Sequence, residues 1–400
     1  MLLIILSIFL FKLNLLNKPK FVKLIKYYIE TSGVLYIKFA QIASLLHEDF
    51  DKDIIEELKQ LQASVKIEKI DFHVENLSYD PIPIASGSIA QVYKGTYNNN
   101  TVAIKVLRPS VVKDIKKLQR LQRFLRFINS KCKIFNSIVL RIIEIIDNVQ
   151  TQVSFHKEIE YMEFFKQHFE NDIIIPNVYK ELCTEKVIVM QYIPDMSTIY
   201  DICDTDDAPL MVQSMVSIFI KMMYKLGVIH SDIHPGNLYW NKTQRKLVLL
   251  DFGIVFKFSQ SMCRKMIEMN VNYYLDRHRQ AADKYLQMLF KNYDIISKYE
   301  DYMNEMLTIT QHTFQNSKLC FKMLRLISDA NARNKHVMVE LNDGISNFEI
   351  CLMQFNQMVR ILDPTSNILR MVLENSVDIT LQNLGHNENK EEEEHVFYSI

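Results

Sequence analysis

The chain has 400 residues, 48% hydrophobic and 24% charged, with 47 basic and 47 acidic side chains and a formal net charge of zero. That is chain enough for two or three lobes with real cores, and the charge balance removes the electrostatic case for a nucleic-acid partner. Only 8 glycines leave little room for glycine-rich phosphate loops, and the six scattered cysteines, with no CxxC pair, argue against a zinc site or disulfide framework and for an intracellular, reducing compartment.

Residues 1–30 open with an apolar run, LLIILSIFLF, followed by Lys12, Lys18, Lys20, Lys23 and Lys26 against one acid, Glu30. The run is shorter than the roughly 20 residues a membrane span needs. It also lacks the basic start and small-residue cleavage site of a signal peptide. Residues 2–16 are therefore expected to attach to a membrane surface, with the lysines at the headgroups. The alternative is a helix packed on the domain.

Residues 31–80 read as a helical extension, two helices with a break near 47–53. Leu35, Phe39, Ile42 and Leu46 recur at helical spacing. Lys38 and Gln41, three apart, share a face, and Glu57 lies on the second helix. Taken alone, these polar residues are the solvated side of an amphipathic pair.

Residues 81–195 are expected to form a small β-containing N-lobe. IASGSIAQVYKGTYNNNTVAIKVL reads as strand, turn, strand, connection and strand. In kinases a GxGxxG loop precedes a lysine in a VAIK strand. VAIK is literal here, at Val102 to Lys105, and Val92 precedes Lys105 by a hairpin's length. The three glycine positions hold Ala85, Gly87 and Ala90. Small side chains still let backbone amides approach phosphates, although methyl groups limit how closely. Ala85, Ser86, Gly87 and Ser88 are thus candidate nucleotide contacts, with Lys105 on the first two phosphates. Helices are expected from residue 113 and over 152–169. A kinase lysine needs a carboxylate carried on a helix, and Glu158 and Glu160 are both candidates. KVIVMQYI (186–193) reads as a strand ending at Pro194-Asp195, where a kinase has its hinge. Met190 to Tyr192, Met190 and Tyr192 above all, would line the adenine slot.

Residues 196–384 are expected to form a mostly helical C-lobe carrying the most informative stretch, HSDIHPGN followed by DFG. Asn237 lies five residues after Asp232, and Asp251 fourteen after Asn237, with a short apolar strand, LVLL, between them. Kinase-like proteins place a catalytic Asp, a metal-binding Asn and a metal-binding Asp in this order. Magnesium is held by hard oxygen ligands against a transferring phosphoryl group. Asn237 and Asp251 supply such oxygens, and Asp232 would orient or deprotonate an acceptor. His278, His312 and His336 are isolated and read as no ligand set. The tail 385–400, with its run of glutamates, is expected to be disordered.

These residues resemble the UbiB family of atypical kinase-like proteins, implicated in isoprenoid quinone and lipid metabolism. Lys38-Phe39-Ala40-Gln41 is similar to that family's KxGQ motif, with Ala40 for the glycine. ELKQLQA is similar to its ELxxLQD stretch, with Ala63 for the aspartate. ASGSIAQV is similar to its alanine-rich loop, with Gly87 where alanine is usual, and HSDIHPGN to its HxDPHPGN, with Ile233 for proline. SFHKEIEY aligns with a family segment whose glutamate selects Glu158 over Glu160. The resemblance implies an α+β, two-lobed protein-kinase-like fold whose KxGQ-type helices bring Lys38, Gln41 and Glu57 into the site. It also implies ATP and Mg2+ as cofactors, and hydrolysis of ATP or its use on a small, lipid-like or isoprenoid acceptor beside a membrane. One rival is a nucleotide-binding pseudokinase scaffold at a membrane. Another is a small-molecule phosphotransferase.

Overall fold

A computed structural model describes residues 67–131 and 153–315, most of 330–376, and single positions at 17, 20, 24, 143, 146, 147 and 150. Lys38, Gln41 and Glu57, the apolar run at 2–16 and the tail at 385–400 lie outside the described residues. The chain forms two compact units, Met1–Asp195 with Leu249–Ile254, and Met196–Val248 with Val255–Ile400. Chain order put the DFG segment with residues 196–384. It joins the first unit instead, because its side chains bind there: Phe252 packs on Phe165, ring centroids 5.2 Å apart, and Asp251 bonds Lys105.

The first unit is built on an antiparallel sheet. Its strands are β1 (Leu77–Tyr79), β2 (Ala85–Ser86), β3 (Ala90–Tyr97), β4 (Asn100–Leu107) and β6 (Val187–Gln191); the short β5 (Ile173–Ile174) precedes β6 in the chain and is not part of this sheet. The order is β1-β3-β4-β6, with β2 on β3. β3 and β4 form a two-residue hairpin closed by the Tyr97–Asn100 pair. Its turn residues, Asn98 and Asn99, have φ of 47° and 63°. A mirror-image turn needs positive φ at both central positions, and asparagine tolerates it best after glycine. Val74, Tyr93, Val102, Ile104, Val106, Val187 and Val189 make the core on one face. Gly95 is required there, since a Cβ would stand 2.6 Å from the Ser78 carbonyl and 2.8 Å from Ile104.

Helix α1 (Pro109–Lys131) follows β4, with proline at its first position, where the missing N–H costs nothing. Helix α2 (Phe155–Phe169) buries Phe155, Glu158, Met162, Phe165 and Phe169. The spacing of three and four residues puts all five on one face. Each large apolar member is worth about 1.5–3 kcal/mol buried rather than exposed. The unit ends at Asp195, in the left-handed region at φ 55°.

In the second unit, Thr198 caps α3 (Ile199–Ile202) reciprocally with Asp201. The apolar α4 (Ala208–Ile220) passes into a π-helical turn, Lys221–Lys225. Such turns are rare and often sit beside functional segments, and this one leads through Gly227, at φ 60°, into β8 (Val228–His230). β7 (Met196–Ser197) pairs β9 (Leu238–Asn241), which lies beside β10 (Lys246–Leu249). β11 (Val255–Lys257) is antiparallel to β8. The buried Trp240 on β9 donates to Asp207 at the start of α4, and Arg245 holds the same carboxylate. Helices α5 (Gln260–Tyr274), α6 (His278–Leu289), α7 (Tyr293–Ile296), α8 (Glu300–Gln315), α9 (Ile345–Leu362) and α10 (Ile368–Asn375) complete it. Between the helices, Phe290 forms an isolated antiparallel bridge with Leu341. Gly344, at φ 79°, lies flat against the Phe256 ring, where a Cβ has no room. Among the described residues, no helix is long and apolar enough to cross a membrane.

Candidate active site

The hairpin register places Lys105 directly opposite Val92 on β4, and β6 closes its other edge with Ile188 opposite Lys105. Held on both sides, the side chain is 11% exposed. Its Nζ donates to Glu158 Oε1 at 2.5 Å and to Asp251 Oδ2 at 3.0 Å. The Phe155 ring lies 5.6 Å from the ammonium and adds a weak attraction for it. Glu160 points elsewhere, to the half-exposed surface beside His156 at 3.6 Å. A helix turns about 200° over two residues, so only one of the two glutamates can face inward.

Two acids share one base here, and burial together with the second acid shows in the protonation of Glu158. Burial alone would lower the Lys105 ammonium, but Asp251 and Glu158 outweigh it and hold the lysine protonated above its ordinary value. Burial pushes Glu158 up to about 7, with Lys105 opposing and Asp251 assisting. Glu158 Oε2 is buried without a hydrogen-bond partner among the described residues, which leaves it poorly solvated when charged. Asp251 Oδ1 accepts the Gly253 N–H at 2.8 Å, which shapes the DFG turn. Phe252 is fully buried and anchors that turn in the first unit.

Beneath the loop at 85–88, Ser86 Oγ and the Gly87 carbonyl both accept from Arg108, at 2.6 and 2.8 Å. Ala85 and Gly87 are exposed and Ser88 is half-buried. Met190 is buried on β6 opposite Ala103, and Tyr192 is half-buried with Lys94 Nζ 4.7 Å over its ring. Sequence reasoning passed over Arg108. An arginine between an apolar strand and a proline was its only signal.

In the second unit the loop after β8 is bound to itself. Asn237 Nδ2 donates to the Asp232 carbonyl at 3.0 Å, which uses the amide nitrogen and leaves Oδ1 as the atom able to accept or to ligate. The Asn237 N–H donates to the His234 carbonyl at 2.9 Å. The Asp232 N–H donates to His230 Nδ1 at 3.3 Å, and the Gly236 N–H to His234 Nδ1 at 3.0 Å. His234 Nε2 lies 3.9 Å from Asp232 Oδ1. Asp232 and Asn237 are 6% and 9% exposed, and Ile233, in the position where proline was expected, is buried at 2%. An apolar side chain thus pins the loop where a ring would have stiffened it.

Among the described residues no three His, Cys, Asp or Glu side chains gather into a metal cage. Magnesium needs none, because it is usually held by one or two carboxylates, waters and the phosphates of its substrate. Asp251 in the first unit and Asn237 in the second each carry a hard oxygen of the kind that chemistry uses.

Residues 45–286 match the family described as an ABC1 atypical kinase-like domain. The chain belongs to that family. The ABC1 match takes in Glu57 and every other predicted site residue except Lys38 and Gln41, which precede it. A protein of Tolumonas auensis named "Probable protein kinase UbiB" is 26% identical over 356 residues, covering 79% of this chain and 63% of that protein. A protein of the same name from Aeromonas salmonicida is 26% identical over 344 residues, covering 78% and 62%. The ABC1 chain therefore spans under two thirds of the length of these relatives. Among solved structures, Mycobacterium tuberculosis Rv3197, determined in complex with erythromycin, superposes with a TM-score of 0.50 at 17% identity. That alignment covers 73% of this chain and 74% of Rv3197, and the likeness is one of fold. The fold of this ABC1 protein is α+β and kinase-like.

Proposed function

We propose that this ABC1 domain binds ATP with magnesium and transfers or hydrolyses its terminal phosphoryl group. The observation that carries the proposal is the buried lysine shared by Glu158 and Asp251. A lysine fixed in this way serves as a rigid point charge for phosphate oxygens. In this reading Lys105 contacts the first two phosphates, Glu158 holds Lys105, and Asn237 and Asp251 hold the metal. Bound magnesium would supply charge stabilisation for the phosphoryl group. Loop residues 85–88 border the phosphates, with the Ser88 amide as a donor, and Met190 and Tyr192 border the base. Asp232 accepts the proton of a hydroxyl or water as that oxygen bonds to the terminal phosphorus and the bond to ADP breaks. The acceptor is a small or lipid-like molecule, isoprenoid compounds included. This part rests on the UbiB resemblance, as does the gating role of Lys38, Gln41 and Glu57, whereas attachment to a membrane surface through residues 2–16 rests on their apolar run and the lysines that follow it.

Thermal melting of the full chain with magnesium, with and without ATP, tests the proposal. A ligand at a hundredfold over its dissociation constant stabilises the folded state by about 2.7 kcal/mol. The expected result is a magnesium-dependent rise in Tm that Asp251→Asn abolishes. No rise, in the presence or absence of liposomes, overturns it. Asp232→Asn then separates turnover from binding, because it should lose hydrolysis and keep the shift.

A further inference from the structure

Arg108 is fully buried, and buried arginines are rare unless paired. It meets the nucleotide loop at three points. Nε donates to the Gly87 carbonyl at 2.8 Å, Nη2 to Ser86 Oγ at 2.6 Å, and its backbone N–H to the Ile89 carbonyl at 3.0 Å. On its far side Nη1 meets Glu68 Oε1 at 3.1 Å. Glu68 is itself fastened. The buried Gln91 side chain takes the Glu68 N–H at 2.6 Å and donates to the Glu68 carbonyl at 3.0 Å, while Ser110 Oγ donates to Glu68 Oε1 at 2.5 Å.

From these contacts we propose that Arg108, held by Glu68, is a positioning residue that sets the nucleotide loop in its phosphate-binding shape. The proposal rests on the nucleotide reading above and deepens it. A loop with three glycines reaches phosphates through its own freedom, but here Ala85 and Ala90 occupy two of the three positions. Its shape comes from the arginine beneath. Across a trans peptide the carbonyl and the following N–H point in opposite directions. Holding the Gly87 carbonyl down on Arg108 therefore turns the Ser88 N–H up and away from the buried side. The Gly87 N–H is already committed to the Ala90 carbonyl, at 2.9 Å, so the Ser88 amide is the donor that Arg108 aims. Lysine cannot substitute, because only the planar guanidinium fork reaches Ser86, Gly87 and Glu68 at once.

The test uses the full chain with Arg108→Lys and, as the milder change, Glu68→Gln. Amide hydrogen exchange is followed at residues 86–90 without nucleotide, and affinities are measured for magnesium-ATP and for adenosine. Loss of a charge-assisted hydrogen bond should speed loop exchange and weaken ATP by about tenfold, with adenosine affinity and exchange in β4 and α2 unchanged. A general loss of stability would instead move both ligands together and speed exchange across β3 and β4, which overturns the proposal. Unchanged loop exchange, or an unchanged ratio of ATP to adenosine affinity in both variants, overturns it too. Wild-type protein that binds neither ligand overturns the nucleotide reading and the positioning role together. Wild-type binding with unaffected variants overturns the positioning role alone.

Discussion

In the Lys105–Glu158 ion pair the glutamate is the deeper partner, with its side chain 1% exposed against 11% for the lysine. The carboxylate has exchanged water for one ammonium that it shares with Asp251. Removing one partner of a buried pair costs more than replacing both, because the survivor is left charged in a poor solvent.

Lys105→Met should therefore destabilise the protein by about 3–5 kcal/mol near pH 8, and by less near pH 5.5. The stranded Glu158 can take up a proton at the lower pH and relieve most of the penalty. Adding Glu158→Gln should recover part of the loss at pH 8. Urea unfolding midpoints at the two pH values measure this, and equal losses at both would contradict it.

Glu158 also predicts a slope in stability with pH. Its pKa rises from the ordinary 4.5 to about 7 on folding. Between those values the folded state holds a proton that the unfolded state has released. Its contribution is thus full below pH 4.5 and is lost as pH rises through about 7, at no more than roughly 1.4 kcal/mol per pH unit. Lys105 is shifted upward too, so its contribution persists throughout this window and fades only at alkaline pH. Denaturation midpoints between pH 5 and 7 should fall less steeply in Glu158→Gln than in the wild type. Parallel curves would place the titration elsewhere.

Gly87 in the loop before β3 and Gly95 within β3 should respond oppositely to alanine. At Gly87 an added Cβ meets only the Ala90 carbonyl, at 3.5 Å, an ordinary contact. Gly87→Ala should lie within about 1 kcal/mol of wild type, with reduced chain entropy in the unfolded state favouring it. At Gly95 the Cβ meets the Ser78 carbonyl at 2.6 Å, so Gly95→Ala must push β1 off β3, at a cost of about 1–3 kcal/mol. Denaturant midpoints of the two variants decide it, and similar losses in both would be incompatible with this packing.

The elements made by local pattern could be read from the chain. Asn98-Asn99 between alternating strands marks a hairpin, and the structure closes it at Tyr97 and Asn100. LVLL marks a strand, and β10 occupies Lys246–Leu249. The choice between Glu158 and Glu160 was legible in principle, since only Glu158 shares the three- and four-residue spacing of Phe155, Met162, Phe165 and Phe169. Arg108 was not legible. Its burial depends on Glu68, 40 residues earlier, and on a loop about 20 residues earlier.

By itself the sequence named the candidate side chains and, for those on described elements, the local structure each sits on. Periodicity, turn residues and proline positions act over a few residues, and they suffice for that. Only the tertiary structure decided the partners. Lys105 meets Glu158 from 53 residues away and Asp251 from 146 residues away. It also decided that Leu249–Ile254 belongs with the first unit. Pairings over such distances follow from sheet register and from which helix face is buried, and the shifted protonation of Lys105 and Glu158 follows from that burial and those pairings.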